Sequence, residues 1–95
     1  NCPRYRVAYT FANQYISELG NAICKAHDDI DICAMIVPTR GEYGAVELRA
    51  TKDNVDLAPL AKALGGGGHK HAAGFPLKKD FAEGIINSFA KMMSV

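Results

Sequence analysis

The chain has 95 residues, enough for one modest hydrophobic core and not for two. Its hydrophobic fraction of 48% and charged fraction of 22% are those of a soluble globular domain, and no apolar run approaches the ~20 residues needed to cross a bilayer. The formal net charge of +1 excludes a protein that binds chiefly by neutralising a long phosphate backbone, but leaves room for a local cationic pocket that takes a short anion.

The chain opens on Asn1-Cys2-Pro3-Arg4, with neither an initiator Met nor the apolar core of a signal peptide, and reads as a piece of something longer. Arg4 to Thr10 alternates as a strand does, with Tyr5, Val7 and Tyr9 on one side. Asn13 is placed to cap a helix in which Tyr15, Ile16, Leu19, Ala22, Ile23 and Ala26 recur at helical spacing. Gly20 weakens that helix by roughly 1 kcal/mol relative to Ala, which points to close packing against a neighbour. Ile32 to Val37 is a continuous apolar run, short enough for a central strand buried on both faces and ended by Pro38. Gly41 marks a turn within Thr39 to Tyr43. Ala45 to Thr51 then alternates, with Val46, Leu48 and Ala50 facing one way and Glu47, Arg49 and Thr51 the other, so the two runs form a hairpin. Asp56 caps a second helix that tolerates Pro59 in its first turn and presents Leu57, Leu60, Ala61 and Leu64 as its apolar stripe. Gly65 stops it. A short strand is expected over Gly74 to Lys78. A third helix follows, with Asp80 and Glu83 as its capping pair and Phe81, Ile85, Ile86, Phe89, Met92 and Met93 on its apolar face. The aromatic and Met positions of these stripes read as core. The fold class is therefore a small α/β (mixed α+β) single domain over residues 1–95, a mixed four- to five-stranded sheet with three helices. The two helical connections are expected to be right-handed crossovers between parallel strands.

Cys2, Cys24 and Cys33 are odd in number and lack metal-site spacing, which suits reduced thiols and a cytoplasmic setting. Cys33, inside an apolar run, reads as a small buried hydrophobe.

Chemistry concentrates in Gly65-Gly66-Gly67-Gly68-His69-Lys70-His71-Ala72-Ala73-Gly74-Phe75. One glycine is enough to end the helix, and each further glycine loses more backbone entropy on folding than any other residue. The additional glycines imply a close approach to the backbone or unusual dihedrals. Unobstructed N–H groups can converge on an anion, the more so if His69 to Ala73 turns helically. A flexible connector is the plain alternative, but His-Lys-His followed by a small-residue Ala-Ala-Gly step argues against it. No Gly-Lys-Ser/Thr ending follows, so the segment is not a triphosphate-binding loop.

This segment resembles the signature of the DHH-associated C-terminal domain. That family includes single-strand exonucleases of the RecJ kind, oligoribonucleases that also act on phosphoadenosine phosphate, and cyclic-dinucleotide phosphodiesterases. Val46-Glu47-Leu48-Arg49-Ala50 resembles the family's Arg-bearing strand, and Val55 to Leu64 the helix feeding the glycines. Ser17-Glu18-Leu19-Gly20 resembles an early motif of the oligoribonuclease-like members. The resemblance implies that Gly66, Gly67 and Gly68 hold a phosphate or sugar through backbone N–H groups. It implies that His69 reaches toward the scissile or terminal phosphate, and that Arg49 pairs with a phosphate through its planar fork. Lys70 is a further candidate for the nucleotide backbone, with His71 behind it. The implied partners are a short single-stranded oligonucleotide or phosphorylated nucleotide and an N-terminal DHH catalytic domain. That domain would carry the manganese or magnesium ions and their ligands, so no cofactor is expected on this chain and no hydrolysis by it alone.

Other readings of single residues are weaker. His69 and His71 as a metal pair find no Cys, Asp or Glu within the motif to complete a ligand set. Asp28-Asp29 after His27 reads as solvated polar residues. Tyr43 and Phe75 could stack a base, although Phe75 suits the core better. A non-catalytic nucleic-acid or cyclic-dinucleotide binding module, the glycine-rich domain of alanyl-type tRNA synthetases, and an interaction domain with a mobile glycine loop are the alternatives for the whole chain.

Overall fold

The computed structural model describes residues 5–79. Its elements in chain order are β1 (Val7–Phe11), α1 (Ile16–Ala26), β2 (Ile32–Val37), β3 (Ala45–Arg49), α2 (Leu57–Ala63), β4 (Gly67–His69) and β5 (Ala72–Pro76). The strands form one mixed sheet in the order β1-β2-β3-β5-β4. The expected third helix, over Asp80 to Met93, lies outside the described residues, among which there are two helices.

The apolar run of β2 becomes a central strand, parallel to β1 and antiparallel to β3. The expected β2–β3 hairpin forms, with Cys33 opposite Arg49 and Val37 opposite Ala45. The second crossover differs from expectation. β3 and β5 are antiparallel, because the glycine segment adds a strand, β4, that forms its own antiparallel hairpin with β5. The chain leaving α2 thus reaches the sheet edge in β4 and turns back into β5, between β3 and β4.

Alternation of side chains divides the core in two. On one face α2 packs on β4 and β5, and Val46, Leu48, Ala73, Val55, Leu57 and Ala61 are buried together. Phe75 packs against this cluster, as its core reading requires. On the other face α1 packs on β2 and β3 over Cys24, Cys33 and Met35. Desolvation raises both the Cys24 and Cys33 thiols above their ordinary range, which keeps them protonated.

The helix ends follow their local chemistry. Asp56 caps α2, its carboxylate accepting from the Ala58 N–H at 3.1 Å. At the other end the Gly65 N–H donates to Lys62 O and the Gly66 N–H to Ala61 O, the paired bonds of a Schellman stop, with Gly65 at φ 93°. Asp56→Ala is expected to cost about 1 kcal/mol, and Asp56→Gly only a few tenths, in urea unfolding. Asn13 is not the cap of α1. The helix begins after Tyr15, which sits in the left-handed region at φ 54° and has no side-chain cap. Two of the expected stripes are also more exposed than their periodicity implies. Leu60 and Leu64 lie outside the α2 contact, and Val7 and Tyr9 stand exposed on edge strand β1.

Candidate functional site

Cross-strand register places the sequence-derived residues in rows. Arg49 lies opposite Ala72, and Ala72 opposite His69, so the three form one row across β3, β5 and β4. Residues directly opposite one another share a face, which puts Arg49 and His69 on the same side of the sheet, two strand spacings or about 10 Å apart. The neighbouring row on that face is Glu47, Gly74 and Gly67. This is the α1 face, but α1 covers only the β2–β3 half of it. Between Arg49 and His69 lies a shelf floored by Ala72, Gly74 and Gly67, all small.

The glycines do not share one task. A side chain at Gly66 would meet Gly74 O at 1.9 Å, and one at Gly68 would meet the Ala73 Cα at 2.5 Å, so both permit the β4 backbone to lie against β5. Gly68 also needs φ 143°, open chiefly to glycine. Gly74 is hemmed in by Val46 O at 2.9 Å. Gly67 alone of the shelf glycines faces open space. From His69 to Ala73 the chain closes the β4–β5 hairpin through a turn at Lys70 and His71 rather than forming a helix, so no helix N-terminus lies in this segment. Instead β4 is the sheet edge, where a strand presents outward backbone groups.

Arg49 is held from three directions. Its Nη2 donates to Ser17 Oγ at 2.8 Å, its Nη1 donates to Leu48 O at 2.8 Å, and Nη1 lies 3.5 Å from Glu47 Oε2. Its aliphatic stem lies across Gly20, where a Cβ would stand 2.6 Å from Arg49 Cγ. Ser17 and Gly20 therefore belong to the site through Arg49. The early Ser17-Glu18-Leu19-Gly20 motif was the signal in the sequence, although its connection to Arg49 was not visible there. The side chain is 13% exposed, so a guanidinium with further donors is fixed at the rim of the shelf.

His69 and Lys70 are exposed at the end of the β4–β5 hairpin. The turn itself is pinned. Lys70 O accepts from the Leu57 N–H at 2.7 Å, His71 O accepts from the Ala50 N–H, and His71 Nε2 donates to Lys52 O at 2.9 Å. Lys52 in turn donates to Asp31, whose carboxyl is held below its ordinary range first by the Arg6 backbone N–H and then by Lys52. His71 is thus occupied in holding the turn, and His69 is the histidine presented outward. Among the described residues no group of three or more His, Cys, Asp or Glu is placed to hold a metal ion. Nor is any helix among them long and apolar enough to cross a membrane.

A five-stranded mixed sheet with an arginine fixed on one face and a glycine hairpin at its edge defines a small α+β domain. Residues 5–94 match the DHHA1 domain family model, and the chain belongs to that family. Over 77 residues it is 34% identical to a protein named oligoribonuclease NrnB from Bacillus subtilis (strain 168), covering 81% of this chain and 18% of that protein. The fold is similar to the crystal structure of an uncharacterized protein from Helicobacter pylori G27, with a TM-score of 0.67 and 26% identity over 81% of this chain and 21% of the other. The chain thus spans about a fifth of the length of each of these relatives.

Proposed function

We propose that this chain is the substrate-binding domain of a metal-dependent phosphoesterase that acts on short single-stranded oligonucleotides or related phosphorylated nucleotides. The observation that carries the reading is the row Arg49–Ala72–His69, which sets two phosphate-binding side chains on one open face above a floor without bulk. Arg49 grips a phosphate, His69 reaches toward the scissile or terminal phosphate, and Lys70 adds charge at the hairpin tip. Gly67 and Gly68 bring the β4 backbone within reach of the ligand, and Gly66 sets the strand's entry, its N–H donating to Ala61 O. The name of the Bacillus relative supports the substrate class.

The manganese or magnesium ions belong, on this reading, to a DHH catalytic domain across the cleft, and this chain contributes binding and orientation. Its buried, reduced thiols Cys24 and Cys33 suit the cytoplasm.

Binding by the chain alone should be weak. Three charge-assisted hydrogen bonds supply roughly 5–9 kcal/mol gross at most, against an association cost of at least ~4 kcal/mol. An amide NMR titration with a 5′-phosphorylated dinucleotide is therefore expected to saturate only at about millimolar ligand. The shifts should fall on Gly67 to Ala72. Arg49→Ala should weaken binding about tenfold or more. Unmoved glycine amides at millimolar ligand would refute the phosphate-binding role of this face.

A further inference from the structure

A cavity of about 470 Å³ lies between the β2–β3 turn and the end of β5, lined among others by Arg40, Glu42, Tyr43, Glu47, Gly74 and Phe75. It adjoins the shelf directly, because Glu47 and Gly74 belong to the row next to Arg49–Ala72–His69. One same-face step along a strand is about 7 Å, which is of the order of a single nucleotide unit.

We propose that this cavity is a nucleobase subsite: it holds the base of the nucleotide whose phosphate lies at Arg49, with Tyr43 stacking on it. The inference rests on the reading of Arg49 and His69 as the phosphate site. Three observations carry it further. First, the cavity has the mixed character a base requires. Phe75 and Pro76 supply apolar wall, while Glu42 and Glu47 supply carboxylates that accept hydrogen bonds from amino or ring N–H groups. Two acidic groups beside one arginine make it unsuited to a bare phosphate.

Second, the turn is tied to the phosphate site. Glu47 forms an ion pair with Arg40 on the turn and lies 3.5 Å from Arg49 on β3. One carboxylate thus links the two guanidiniums and holds the turn against the sheet. Third, Tyr43 is 40% exposed on that turn, a flat ring with no place in either core cluster. An aromatic face of this kind accepts any base, so the subsite contributes affinity rather than sequence discrimination.

The test compares two probes on this chain, ribose 5-phosphate and a 5′-phosphorylated dinucleotide, by amide NMR titration. Both are expected to move Gly67 to Ala72, and only the dinucleotide to move Arg40 to Gly44. Tyr43→Ala is expected to weaken the dinucleotide about tenfold and leave ribose 5-phosphate unchanged. Dinucleotide shifts confined to Gly67 to Ala72, or equal weakening of both probes by Tyr43→Ala, would overturn the base subsite while leaving the phosphate site standing. If neither probe moves Gly67 to Ala72, the phosphate site falls and the base subsite with it.

Discussion

Replacing Gly66 by alanine is expected to destabilise the domain by about 3 kcal/mol or more, whereas Gly67→Ala should change stability by no more than about 1 kcal/mol, even though the two positions are adjacent. Gly66 is fixed on both sides. Its N–H donates to Ala61 O at the end of α2, and a Cβ would fall 1.9 Å from Gly74 O and 2.6 Å from the Phe75 Cα. Both obstacles are backbone, so no rotamer change relieves them. The edge hairpin must separate or the helix stop must open, and either change uncovers the α2 core. For a domain of this size, a 3 kcal/mol loss lowers the melting temperature by roughly 12 °C or more. At Gly67 an added Cβ meets nothing within 4 Å, and the backbone is not in the left-handed region. Thermal unfolding of the two variants checks the contrast, and equal melting temperatures would refute the close-approach account. Gly67→Ala also serves the binding question. A methyl group on the shelf should obstruct a ligand that approaches the backbone there, so weaker dinucleotide binding is expected from a variant that remains fully folded.

Much of this was legible in the sequence because the relevant signals are local. The apolar run Ile32 to Val37, the alternation from Ala45 to Thr51 and the Asp56 cap each depend on a few neighbouring residues, and each has its element in the structure, the second strand ending two residues earlier, at Arg49. The face carrying Arg49 followed from alternation alone. What the sequence hid is pairing. Glycines suit a loop, an anion cradle or a tightly packed strand equally well, and only the distance to Gly74 and Ala73 distinguishes these. For the same reason β4 was missed. Its residues Gly67 and Gly68 have no strand propensity of their own, and tertiary hydrogen bonding to β5 creates the strand. The ion pairs of Glu47 with Arg40 and Arg49 were equally out of view, because charged residues on a half-buried face carry no mark of their partners.

The same dependence on pairing makes Gly20 the most informative position for function. Gly20→Ala should lower phosphate-ligand affinity about tenfold while costing only about 1 kcal/mol of stability. In an isolated helix the substitution would stabilise by roughly 1 kcal/mol. Here a Cβ would meet Arg49 Cγ at 2.6 Å and Met35 Cε at 2.7 Å. Met35 is fully buried and has little room to yield. Crowding of this kind costs about 1–3 kcal/mol, which outweighs the helical gain by a small margin. The less confined neighbour is Arg49, whose stem lies over the glycine and whose side chain keeps 13% exposure where Met35 has none. The strain is therefore relieved by moving Arg49, and the Nη2 bond to Ser17 Oγ is the contact that breaks. A displaced guanidinium no longer faces the shelf with its fork preset, and the entropy of fixing it returns as a cost of binding. Titration of the folded Gly20→Ala chain with the 5′-phosphorylated dinucleotide measures this directly. Undiminished affinity would mean that Gly20 only fits α1 to the sheet. Loss of affinity with melting nearly unchanged would show that the early motif acts on the ligand through Arg49, although neither Ser17 nor Gly20 need touch the ligand itself.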